Sequence, residues 1–158
     1  MPPTDSLTDE ELKRRMREYF EACNAGDADA IASHFVEDGV HYFPPGVEHG
    51  PFRGAETIGQ RWAEYVENIG SMWTIDQLMT DADTARGALE WTHFAGQDGP
   101  VLRGNEWYEF DRETGLIEEI RAYFAAPMDS DLGRNELEEF DYAGRGYAIE
   151  PPFSRERN

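Results

Sequence analysis

Leu12, Met16, Tyr19, Phe20 and Cys23 recur at steps of three and four residues and predict a first helix with one apolar face. Ser6 or Thr8 is placed to cap it, and Asp9, Glu10 and Glu11 fall in its first turn, where acidic groups suit the helix dipole. Asn24-Ala25-Gly26-Asp27 ends it, with Gly26 as a left-handed cap. A second, short helix is expected through Phe35, with Ala28, Ile31, Ala32 and Phe35 inward. Glu37-Asp38-Gly39 reads as a turn. Val40 to Phe43 reads as a strand, stopped by Pro44-Pro45-Gly46 because proline has no amide to donate to a ladder. After a loop over 46–54, Ala55, Ile58, Trp62, Val66 and Ile69 mark a third helix, closed at Gly70-Ser71.

The pattern then changes to alternation. Strands are expected over 72–79, 84–94, 101–111 and 116–124. Gly87, Leu89, Trp91 and His93 share one buried face of their strand. Leu102, Gly104, Glu106, Tyr108 and Phe110 share a face of the next, which sets Glu106 among apolar neighbours. Three helices followed by long strands predict an α+β domain. The expected architecture is a curved mixed or antiparallel sheet shaped as a cone, with three N-terminal helices enclosing an apolar pocket. Residues 1–10 form a flexible lead, 11–126 the cone domain, and 127–158 an acidic tail. The tail is expected to pack over the pocket mouth or against a dimer partner, with a short helix near Asn135 to Phe140.

Composition narrows the partners. A chain of 158 residues suits one domain with a proper core. The net charge of −19 argues against nucleic acid and anionic membranes, which select basic patches. Residues 1–11 are polar and proline-led, unlike a signal peptide, and no apolar run approaches membrane-spanning length. A single cysteine, Cys23, cannot form an internal disulfide and reads as a core thiol. The expected setting is the cytoplasm. The four histidines lack ligand-pair spacing, and Asp129-Ser130-Asp131-Leu132-Gly133 has its glycine one place early for a calcium loop. No glycine-rich phosphate loop is present, so neither a metal nor a cofactor is expected.

The ordered set Tyr19 with Asn24 to Asp27, Phe35-Val36-Glu37-Asp38-Gly39, Phe52-Arg53-Gly54 and Ile120-Arg121-Ala122-Tyr123-Phe124 resembles the nuclear-transport-factor-2-like superfamily, in its SnoaL-like and ketosteroid-isomerase-like branch. The resemblance covers residues 10–126. It implies a homodimer of α+β cones with an apolar pocket, and activities such as steroid isomerisation, polyketide cyclisation, epoxide opening or dehydration. It also implies that Tyr19 matches the isomerases' first-helix tyrosine donor and that Glu106 matches their protonated acid, a pairing that stabilises an oxyanion. Phe43 stands where those enzymes keep their aspartate base, and Ala122 where the cyclases keep theirs. The base must then be sought elsewhere. Histidine titrates near neutrality, which makes His41 and His93 the candidates.

The catalytic set expected is therefore Tyr19, His41, His93 and Glu106. Phe43, Trp62, Tyr65, Trp73, Trp91, Tyr108 and Ala122 are expected to bind substrate. Plainer readings stand beside these: Tyr19 as a core tyrosine, His41 as a satisfied edge residue, and Glu106 paired with Arg121 or Arg103. His34 and His49 read as exposed. The function expected is a cofactor-independent isomerase, dehydratase or cyclase moving protons on a small hydrophobic carbonyl or hydroxyl compound, steroid- or polyketide-like. The alternatives are a non-catalytic binding protein for a small apolar ligand, and a module whose exposed sheet face binds a partner protein.

Overall fold

A computed structural model describes residues 7–44, 48–125, 134–136 and 139–155. Helix α1, Asp9–Ala25, starts at Thr8, whose hydroxyl accepts from the Glu11 amide, and stops at Gly26 in the left-handed conformation. Helix α2 is Ala28–Ala32, capped by Asp27, and helix α3 is Ala55–Ile69. The strands are β1 Phe35–Tyr42, β2 Phe52–Arg53, β3 Ser71–Asp81, β4 Arg86–Ala95, β5 Val101–Phe110, β6 Ile117–Phe124 and β7 Arg134–Asn135. The sheet order is β2-β1-β6-β5-β4-β3, with β7 paired to β5. All pairings are antiparallel except β1 with β6 and β5 with β7. The expected mixed α+β sheet with three helices is thus present, and it is open rather than closed into a barrel. Leu12, Met16, Tyr19, Ile31, Ile58, Tyr108, Ile117 and Ile120 form the core between helices and sheet.

Four sequence expectations are corrected. Helix α2 stops at Ala32, so Phe35 opens β1 instead of ending a helix. Glu37-Asp38-Gly39 is not a turn but a bulged part of β1, whose register against β6 shifts between Phe35 and Val40. A side chain at Gly39 would press on the Val36 and Ile117 carbonyls at 3.2 and 3.3 Å, so the bulge leaves little room for more than glycine. The loop over 46–54 contains β2, which pairs Phe52 with His41. The helix expected near Asn135 to Phe140 is replaced at its start by β7, because that backbone pairs with Val101 and Leu102 of β5.

The tail was expected over the pocket mouth or on a partner subunit. Among its described residues, Glu136, Tyr142 and Ala148 pack on the outer face of the sheet, and Arg155 donates to the Asn24 carbonyl at the end of α1. The Arg103 guanidinium donates to Thr92 Oγ1, to the Ala148 carbonyl and to Glu136, and stacks 4.0 Å over the Tyr142 ring. Asp76 accepts from Thr92 and from the Ala148 amide. The calcium-like stretch 129–133 lies outside the described residues.

Candidate functional site

Between α1, α3 and the inner face of the sheet lies a cavity of about 250 Å³. Strand alternation delivers Trp91 and His93 from β4 and Leu102 and Glu106 from β5 to it. Trp73 is fixed at its wall by the end of α1. The Asn24 amide donates to the Trp73 carbonyl at 2.9 Å and accepts from the Trp73 amide at 2.8 Å, completing β3 edge hydrogen bonds. Trp91 finds room because β5 carries glycine beneath it: a Cβ on Gly104 would stand 2.6 Å from the indole.

Of the expected catalytic set, Tyr19, His93 and Glu106 line the cavity. His41 does not. It is 1% exposed, stacked on Phe43 at 4.3 Å and 8°, and edge-on to Trp62. Its Nε2 lies 3.4 Å from Glu106 Oε1, close enough for electrostatic contact but not aligned as a hydrogen bond. Both of its ring nitrogens lack a hydrogen-bond partner among the described residues. Among the expected binding residues, Phe43, Trp62, Tyr65, Trp73, Trp91 and Ala122 line the cavity. Tyr108 stands behind it, fully buried, and donates to Glu106 Oε2 at 2.6 Å. Glu106 therefore meets the cavity from between His41 and Tyr108. The arginine pairings considered for it do not form: Arg121 bonds Glu119 and Glu109, and Arg103 bonds Glu136.

The Tyr19 hydroxyl accepts from Trp62 Nε1 at 3.0 Å and meets the Cys23 thiol. Burial first, then the neighbouring Cys23 and Glu106, raise the Tyr19 pKa well above the ordinary range, so it keeps its proton. Burial likewise pushes the Cys23 thiol far up. His93 Nε2 lies 2.7 Å from Ser71 Oγ, and burial lowers its pKa to about 4, leaving a neutral ring at neutral pH. His49 is exposed as expected, but His34 is only partly so, and burial lowers its pKa.

Sequence reasoning missed Glu48, Phe20, Cys23, Leu102 and Phe124 as lining residues. Phe20, Cys23 and Leu102 already stood on the apolar faces, so the stripes could have found them. Glu48 carried no such signal, because it sits in the loop after Pro44 and is placed by tertiary contacts alone. Its carboxylate accepts a hydrogen bond from the Tyr65 hydroxyl. Among the described residues no helix is long and apolar enough to cross a membrane.

The chain matches a model of the SnoaL-like domain over residues 16–120, more than half its length. No curated protein matches it. It is 47% identical to a protein of unknown function with a cystatin-like fold from Methylobium petroleophilum PM1, covering 96% of this chain and 99% of that one at a TM-score of 0.76. The epoxide hydrolase/cyclase-like enzyme SalBIII, described in pyran ring formation in the polyether salinomycin, is 18% identical over 73% of this chain and 91% of its own, with a TM-score of 0.60. Bal32a, from a soil-derived mobile gene cassette, is 19% identical over 73% and 90%, with a TM-score of 0.63. The last two are likenesses of fold alone. With its helices, open mixed sheet and matched residues taken together, the chain belongs to the SnoaL-like domain family.

Proposed function

We propose that this protein is a cofactor-independent acid–base enzyme of isomerase, dehydratase or cyclase type, acting on a small, mostly apolar compound with a carbonyl or hydroxyl group. The SnoaL-like family includes isomerases and cyclases, which supports the class. One observation carries the reading: a carboxyl group, Glu106, faces an apolar cavity while His41 and Tyr108 hold it from behind. Glu106 takes a proton from carbon or oxygen of the ligand and returns it. Tyr19 exchanges its weak thiol contact for the ligand oxygen and donates its proton there as charge develops. His41 touches no ligand and is a positioning residue, orienting Glu106 and responding to its charge. His93, neutral across the physiological range, is a hydrogen-bond partner for the ligand and not its base.

This reading moves the base from a histidine to Glu106. It is tested with 5-nitrobenzisoxazole, whose ring opening begins with removal of a proton from carbon. Glu106→Gln is expected to lower kcat/KM by about 10²–10⁴, the usual range for a positioned base. An unchanged rate in a folded Glu106→Gln protein sinks the proposal.

A further inference from the structure

One corner of the cavity is built from three aromatic rings. Tyr65 and Trp73 stand 5.3 and 5.7 Å from Trp62, inclined to it by 62° and 70°. The rings pack edge to face on one another, and all three line the cavity. Glu48 closes this corner. Its side chain is 8% exposed, one oxygen accepts from the Tyr65 hydroxyl, and the other lies 3.8 Å from Arg61, beyond hydrogen-bond distance. Arg61 itself is 41% exposed and does not line the cavity. Among the described residues the lining thus contains two carboxyl groups, Glu48 and Glu106, and no lysine or arginine. Its one histidine, His93, is held neutral by burial.

We propose that the ligand of this cavity carries a cationic nitrogen, as a protonated amine or a quaternary ammonium, seated in the Trp62–Tyr65–Trp73 corner against Glu48. The inference rests on the proposed reading of the cavity as the substrate site and adds its substrate class. Aromatic faces attract a desolvated cation through their quadrupoles. A neutral apolar ligand would gain contact with the same rings but would leave the Glu48 carboxylate, whose partner Arg61 stands 3.8 Å away on the exposed side, without a counter-charge on the cavity side. The cation end sits at Glu48, and the reacting oxygen or carbon is presented at Glu106 and Tyr19.

The test compares benzyltrimethylammonium with its uncharged carbon isostere, neopentylbenzene, by equilibrium titration of intrinsic tryptophan fluorescence. The cation is expected to bind at least tenfold more tightly. Glu48→Gln should remove fivefold or more of the cation's affinity and leave the neutral isostere within twofold. Equal or tighter binding of neopentylbenzene overturns the cationic inference while leaving the cavity a ligand site and the Glu106 chemistry standing. Binding of neither overturns the inference, and the 5-nitrobenzisoxazole assay then decides the catalytic reading separately. If Glu48→Gln does not fold, the two-ligand comparison on the unaltered protein decides alone.

Discussion

The two faces of the sheet treat polar groups in opposite ways. On the outer face Arg103, 4% exposed, spends its guanidinium on Thr92, Ala148 and Glu136, and Thr92 passes its own hydrogen to Asp76. On the inner face His41 has no aligned partner, and neither does the indole N–H of Trp91. Of the four buried side-chain atoms without partners among the described residues, three belong to these two residues and the fourth to Arg155. A buried polar group normally finds a partner, and leaving it without one costs stability. The outer network is therefore a fastening for the tail. The inner set is incomplete in the way a site for a ligand or a moving proton is incomplete.

The largest expected effect separates the faces by readout. Glu106→Gln keeps an acceptor for the Tyr108 hydroxyl, so its unfolding free energy should stay within about 1 kcal/mol while turnover of 5-nitrobenzisoxazole falls by about 10²–10⁴. A loss of stability with no specific loss of rate would make Glu106 a fastening like Arg103. The mirror experiment is Arg103→Ala, which leaves Glu136 to Arg134 alone and takes the donor from the Ala148 carbonyl and Thr92 Oγ1. Breaking a buried pair costs about 3–5 kcal/mol when a charge is left uncompensated; the partial exposure of Glu136 and its second partner Arg134 lower that to about 1–3 kcal/mol. Urea unfolding should record this loss with kcat unchanged. A fall in kcat at full saturation with folded protein would couple the outer face to the chemistry and erase the contrast.

His93 supplies a third expectation. Its folded pKa of about 4 lies below the ordinary 6.5, so folding favours the neutral ring. The unfolded chain binds the extra proton first as pH falls. The stabilisation is thus complete above about pH 6.5 and is lost between about 6.5 and 4, amounting to roughly 3 kcal/mol at most. His34, also lowered by burial, acts in the same direction. His93→Gln should flatten this part of the stability–pH curve; an unaltered curve would mean the ring is hydrated in the folded protein.

These residues also mark what the sequence made legible. Helical stripes and strand parity placed Tyr19, Trp62, Trp91, His93 and Glu106 on the cavity, because side-chain direction follows from local period. Parity also put His41 and Tyr108 on the inner face, but depth along that face depends on packing. Phe43 covers His41 and Glu106 covers Tyr108, so two residues expected to meet substrate stand behind those that line the cavity. Glu48 was invisible because a loop has no period, and β1 was shortened because a bulge around Gly39 imitates a turn. The outer network escaped notice for a related reason. It joins β3, β4 and β5 to a tail whose pattern of apolar residues is too sparse to dock by inspection.

The smallest stability effect is expected at His41, where the two kinds of polar group can be told apart in one residue. Phenylalanine at this position would keep the stack on Phe43 and the edge contact with Trp62. It would also remove two ring nitrogens that have no aligned partner. Replacing an unsatisfied buried group by an apolar one of similar shape is nearly neutral or stabilising, so His41→Phe should unfold within about 1 kcal/mol of the parent, on the favourable side. A merely structural histidine would stop there. If His41 orients Glu106 through the 3.4 Å contact, the same variant loses about tenfold in turnover and its pH–rate profile moves, because the neighbour that responds to the charge on Glu106 is gone. An unchanged profile in a stabilised His41→Phe protein would leave Glu106 working alone with Tyr108 and reduce His41 to packing.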